Sequence, residues 1–210
     1  FEPLALHQTI PEMICETCLT IPLVTDAQRF VWEYSGLSRD FIKAMKYRPS
    51  KKLARLASCL LAASLPVVFR DYEWDLVIPV PSSATTFRKR SFHPCIELAC
   101  HISNTIAVPL KLSLTSASKR HPQAKLHHDA RLRGVETLFT VRSPSHIAGR
   151  RVLLIEDVIT TGATASAAAQ CLKAAGAMRV DILALARARV WGRLRNNVWR
   201  ALALQGRSHE

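Results

Sequence analysis

The stretch from Arg151 to Gly176 constrains this chain more than any other. Val152 to Ile155 is a short, continuous apolar run, the pattern of a strand buried on both faces of a parallel sheet. Two carboxylates, Glu156 and Asp157, stand where that strand is expected to end. Val158 to Thr164 then supplies three threonines and one glycine, and Ala165 to Ala175 is rich in the strongest helix former, with Gly176 as a C-terminal stop. Strand, polar turn and helix in that order bring unpaired backbone N–H groups and the positive end of a helix dipole to one point. Such a point binds phosphate.

The residue types narrow the ligand. Thr160, Thr161 and Thr164 offer hydroxyl donors to phosphate oxygens, while Gly162 permits a positive φ and close approach of the Val158 to Thr164 backbone, including Ala163. Adjacent carboxylates are wrong for gripping a second phosphate. They suit a sugar diol, or a magnesium ion held through its water shell. The implied ligand is a ribose 5-phosphate, its diol on Glu156 and Asp157 and its phosphate on residues 160 to 164. An ordinary turn in which Asp157 and Thr164 merely cap a helix accounts for one or two of these residues but not for the run.

Elsewhere the chain reads as one α/β domain with a small appendage, residues 1–30 as an irregular, proline-interrupted segment and 31–210 as the main domain with a basic tail. Ser38 is expected to cap a helix carrying Phe41, Ile42 and Met45 on its inner face, with Arg39, Lys43 and Lys46 turned away. Ser50 starts a second helix on which Leu53, Leu56, Ala57, Leu60 and Leu61 repeat at helical spacing. Asp75 to Val80 reads as a buried strand, Pro94 to Ser103 as a helix, Val108 to Leu114 as a strand and Met178 to Ala186 as a last strand. Ligands of open α/β sheets sit at the carboxyl ends of strands. The loop Pro81, Ser82 through Arg88, Lys89 and Arg90 is therefore a candidate for a pyrophosphate group, with Lys119 and Arg120 in a long polar segment closing over it.

The formal net charge of +13 would attract polyanions, nucleic acid among them. No apolar run is long enough to span a bilayer, and nothing at the amino end reads as an export signal, so a cytoplasmic protein is expected. Cys59, Cys95, Cys100 and Cys171 fall in apolar helical segments, where a free cysteine acts as a small hydrophobe. Cys15 and Cys18 have the spacing of half a tetrahedral zinc site, and no second pair follows. Neither a phosphate-binding Gly-x-x-x-x-Gly-Lys nor a dinucleotide Gly-x-Gly-x-x-Gly occurs, which argues against a nucleotide kinase or dinucleotide enzyme.

Glu156 through Thr164 resembles the type I phosphoribosyltransferase signature. From end to end the chain is similar to the ComF (ComF/GntX) family of phosphoribosyltransferase-like proteins. The resemblance rests on Cys15 and Cys18, Tyr34-Ser-Gly36, Met45-Lys-Tyr47, Ile78-Pro-Val-Pro81, Arg88-Lys-Arg90, Gln123-Ala-Lys-Leu126 and the 156–164 run. It implies an open parallel sheet flanked by helices, phosphoribosyl pyrophosphate with magnesium as ligand, a zinc module of which Cys15 and Cys18 remain, and a role in natural competence, the uptake of DNA for transformation. Single-stranded DNA and proteins of the competence machinery are the partners it implies. This sequence departs from the family in reading Arg90-Ser-Phe-His-Pro94 after the basic loop and in carrying Glu156 where aspartate is usual. Two expectations follow: a phosphoribosyltransferase, or a non-catalytic competence protein that binds DNA or partners and keeps the phosphate site as a relic or for regulation.

Overall fold

The structure, a computed structural model, describes residues 24–47, 50–69, 73–81, 93–116 and 138–188. Cys15, Cys18, Ser82, Arg88, Lys89, Arg90, Lys119, Arg120, the Gln123–Leu126 segment and the basic tail lie outside the described residues.

In chain order the elements are β1 (Ala27–Glu33), α1 (Gly36–Tyr47), α2 (Lys51–Val68), β2 (Leu76–Pro79), α3 (Pro94–Ile106), β3 (Leu114–Ser116), β4 (Phe139–Val141), β5 (Arg151–Ile159), α4 (Ala163–Ala174) and β6 (Arg179–Arg187). Four strands form a parallel sheet in the order β1-β6-β5-β2, and β3 and β4 pair as a separate antiparallel ribbon. β5 is flanked on both edges, pairing Val152 with Leu76 on one side and with Val180 on the other.

Strand alternation splits the core into two layers. Leu153 and Ile155 face a cluster that includes Ile42 and Met45 of α1, Ala57 and Leu61 of α2, and Leu98 and Ile102 of α3. Val152 and Leu154 join the other cluster with Ala165, Ala168, Ala169 and Leu172 of α4. Those four recur at i, i+3, i+4 and i+7, and three of them are alanines, so α4 lies close against the strands. Both faces of the sheet are thus covered, as the unbroken apolar run of β5 requires.

Several expectations are corrected. β5 does not stop before the acids: its ladder with β6 continues through Glu156, Val158 and Ile159, so both carboxylates sit among the last residues of a regular strand. Val108 to Leu114 is not a strand. Leu110 makes an isolated bridge to Val77, and regular pairing begins only at Leu114. Pro109, which has no N–H, contributes only its carbonyl there. Ser38 is not an N-cap but sits inside the first turn of α1, its hydroxyl donating to the carbonyls of Glu33 and Ser35. Ser50 does cap α2, accepting from the Leu53 N–H. Leu56 and Leu60 of α2 are exposed, whereas Ala54, Ala57, Leu61 and Leu65 are buried. Among the cysteines read as small hydrophobes, Cys59 and Cys100 are exposed and Cys95 is buried; all four described cysteines are free thiols. Ala27–Glu33, which straddles the boundary drawn at residue 30, is an edge strand of the main sheet.

Candidate functional site

The site forms where β5 delivers its carboxyl end into α4. Gly162 adopts φ 80, ψ 0, a left-handed conformation, and precedes the first helical residue, Ala163. With no side chain it provides no cap, so the first-turn N–H groups of α4 keep their usual lack of intrahelical partners. The Ala163 N–H leans on the Thr161 hydroxyl at 3.3 Å. Thr160, Thr161, Ala163 and Thr164 are exposed and Ala165 is buried, so the turn presents its hydroxyls outward while the helix behind it is anchored. Neither Asp157 nor Thr164 caps α4, which removes the reading of this run as an ordinary capped turn. Among the described residues, the only heavy atom within 4 Å that a Cβ at Gly162 would approach is Ile159 Cγ2, at 4.0 Å. Any penalty for Gly162→Ala is therefore one of backbone conformation. We expect a stability loss of about 1–2 kcal/mol in thermal unfolding; an unchanged melting temperature would show that the turn relaxes freely.

The two acids differ sharply. Glu156 is 8% exposed, and its Oε2 is buried without a hydrogen-bond partner. Burial, with the neighbouring charge of Asp157 adding to it and Lys46 opposing it, pushes its pKa from the ordinary 4.5 up to about 8. At neutral pH it is mainly a neutral acid that can donate as well as accept. Asp157 has a 15% exposed side chain, and its Oδ1 meets Lys46 Nζ at 2.7 Å.

Lys46 is the residue that the sequence reading missed. It was assigned to the outer face of α1, yet it sits four residues after Ile42 and one after Met45, both fully buried, so its register is that of the inner stripe. Burial works to lower the Lys46 pKa, but the charge and hydrogen bond of Asp157 outweigh it and the net shift is upward. Lys46 also lies in the last turn of α1, where a cation complements the helix dipole. Beside the pair is Cys95 of α3. Burial, and then the charges of Asp157 and Glu156, push its thiol well above the ordinary value despite Lys46 and the Asp157 backbone N–H. It is an inert neutral thiol at this site.

Pro81, the one described residue of the loop expected to hold pyrophosphate, lies just beyond the carboxyl end of β2, partly exposed, on the strand adjacent to β5. The structure thus brings Glu156, Asp157, Val158 and residues 160–164 together at one edge of the sheet, with β2 running alongside.

The chain is 26% identical over 151 residues to competence protein ComFC of Bacillus subtilis, covering 71% of this chain and 59% of that protein. It is 24% identical over 194 residues to competence protein ComFC of Streptococcus pneumoniae, covering 86% of this chain and 83% of that one. A crystal structure of adenine phosphoribosyl transferase from Trypanosoma brucei, in complex with AMP, pyrophosphate and ribose-5-phosphate, aligns with a TM-score of 0.44 at 14% identity, over 84% of this chain and 96% of that chain. The model of the phosphoribosyl transferase domain matches residues 68–205, more than half of the sequence and all of the strand, turn and helix that form the cradle. The chain belongs to the phosphoribosyl transferase domain family, and within it resembles the ComF competence proteins.

Proposed function

We propose that this protein binds phosphoribosyl pyrophosphate, or another ribose 5-phosphate ligand, and that it serves natural competence as a phosphoribosyltransferase-like protein. One observation carries the reading: the acid pair lies in the last residues of β5, shortly before a left-handed Gly162 and the uncapped amino end of α4. The 5-phosphate would lie on the Thr160 to Thr164 turn and the ribose diol against Asp157 and Glu156. The unpartnered Glu156 Oε2 supports a ligand here, because a buried oxygen without a partner gains a hydrogen bond when a hydroxyl arrives.

Magnesium would bind in the same place. Among the described residues no group of three or more His, Cys, Asp or Glu is placed to hold a metal ion, so the cation would rely on Asp157, Glu156 and oxygens brought by the ligand. When bound it would offset the charge that builds on a departing pyrophosphate. The chain's own contribution is to orient the pentose and hold its phosphate, so that the anomeric carbon faces an incoming acceptor.

Titration calorimetry with phosphoribosyl pyrophosphate and magnesium tests the reading. Wild type should bind, and Asp157→Ala and Asp157→Asn should bind at least ~10-fold more weakly, since each loses a charged acceptor for a ribose hydroxyl. Equal affinity in all three proteins would defeat it.

The net charge of +13 favours a second reading, in which the protein handles single-stranded DNA and the cradle is regulatory or a relic. That reading expects anisotropy titrations with oligonucleotides to show tight binding with a steep salt dependence, unaffected by Asp157→Asn. Among the described residues no helix is long and apolar enough to cross a membrane.

A further inference from the structure

The cradle is completed from outside the segment that carries the family's match. That match begins at residue 68, yet the group in contact with Asp157 belongs to α1, at residue 46. Lys46 Nζ lies 2.7 Å from Asp157 Oδ1, with side-chain exposures of 24% and 15%, so the pair is largely withdrawn from solvent. Two consequences follow from charge and geometry. A carboxylate with one oxygen held has its plane fixed, and the other oxygen is presented in one direction instead of being free to rotate. A carboxylate paired with a lysine also carries no net charge toward a polyphosphate, whereas a bare one beside a phosphate cradle would repel the ligand.

We propose that Lys46 is a positioning residue for the pentose: it locks Asp157 and cancels its charge, so that the acid pair accepts a ribose 5-phosphate without needing a divalent cation to neutralise it first. The α1 segment is then part of the binding site and not only a cover for the core. Lys46 acts through Asp157, and the inference rests on the reading that ribose 5-phosphate binds here.

The test uses the full chain and calorimetry with ribose 5-phosphate, once in EDTA and once in excess magnesium. Wild type is expected to bind equally well in both. Lys46→Met should bind roughly tenfold more weakly in EDTA and recover much of that loss in magnesium, because the cation then does what the ammonium did. Lys46→Arg should behave like wild type. In an Asp157→Asn background, Lys46→Met should cause little further loss, since the group through which it acts is gone. Circular dichroism checks folding. If Lys46→Met does not fold, Lys46→Gln and the double variant Lys46→Met with Asp157→Asn, which removes both charges, take its place.

The possible outcomes separate cleanly. A wild type that binds ribose 5-phosphate in magnesium but not in EDTA overturns this inference and leaves the proposed function standing. So does a folded Lys46→Met that binds as wild type in EDTA. A wild type that binds no ribose 5-phosphate under either condition defeats the proposed function itself, and the inference falls with it.

Discussion

Glu156→Gln is expected to stabilise the folded protein at pH 8 and above, by on the order of 4 kcal/mol, and to flatten its stability against pH. The native state holds this side chain 8% exposed, with Oε2 lacking a partner, and raises its pKa from 4.5 to about 8, chiefly through burial. A proton held more tightly by the folded than by the unfolded chain favours folding at low pH. That contribution is complete below about pH 4.5, declines as pH rises, and is gone above about pH 8. Glutamine keeps the size and neutrality of the protonated acid and has no proton to lose. Denaturant titrations across pH 5 to pH 9 should show wild type losing stability over that window while Glu156→Gln stays level there. The offset at alkaline pH corresponds to roughly 10 °C in melting temperature for a chain of this size. Parallel curves for the two proteins would mean that Glu156 is solvated and ionised in the native state. The same variant bears on function: if the neutral acid is the working form, ribose 5-phosphate affinity should survive the substitution while the Asp157 variants lose it.

The second large effect is expected at the opposite end of the sheet. Asp181 of β6 is completely buried; its Oδ2 accepts from Arg179 Nε at 2.8 Å and from Trp74 Nε1 at 2.9 Å. Trp74 in turn meets Phe69 edge-to-face at 5.0 Å between ring centroids, and the Arg29 guanidinium lies 5.7 Å from the Phe69 ring. One carboxylate therefore ties the end of β6 to the segment that enters β2. Asp181→Ala removes both of these bonds and opens a cavity among aromatic rings, at a cost of about 3 kcal/mol. Asp181→Asn retains an acceptor for the indole and should recover part of it. Because Asp181 sits at the amino end of β6 and the cradle at the carboxyl end of β5, ribose 5-phosphate affinity of the folded fraction should not change. A stability change under 1 kcal/mol would show the pair to be a neutral exchange of solvation for contact.

The elements that were legible in the sequence are those whose cause is local. β5 shows itself as an apolar run because both of its faces are buried, and α4 as an alanine-rich segment because it must lie close to the sheet. The acids and threonines between them are placed together at the mouth of α4 because strand, turn and helix are consecutive. What failed has a cause elsewhere in the chain. The seven residues of β1 carry arginine, glutamine and glutamate, and only their pairing with β6 makes them a strand. Lys46 was turned outward because lysine usually is, although its position after Ile42 and Met45 is an inner one; the energy that pulls it in comes from Asp157, more than a hundred residues on. Leu56 and Leu60 of α2 were drawn inward by their type, but the sheet side of that helix is filled by Ala54, Ala57 and Leu61. The depth of Glu156 could not be read either, because it depends on β5 continuing its ladder with β6 beyond the point where the apolar run ends.

The order β1-β6-β5-β2 places the first described strand against the last. The Val180 N–H donates to the carboxylate of Asp26, a contact spanning 154 residues. During synthesis the β1 segment leaves the ribosome well before its sheet neighbour, since Asp26 and Val180 are 154 residues apart. Closing so wide a loop is slow relative to forming neighbouring helices, which makes the docking of β1 a late event and leaves its apolar residues waiting meanwhile. A nascent chain halted before Arg179 could assemble β5 with α4 yet would lack the neighbour on which β1 zips, and protease sensitivity around residues 27–33 would report that unfinished edge.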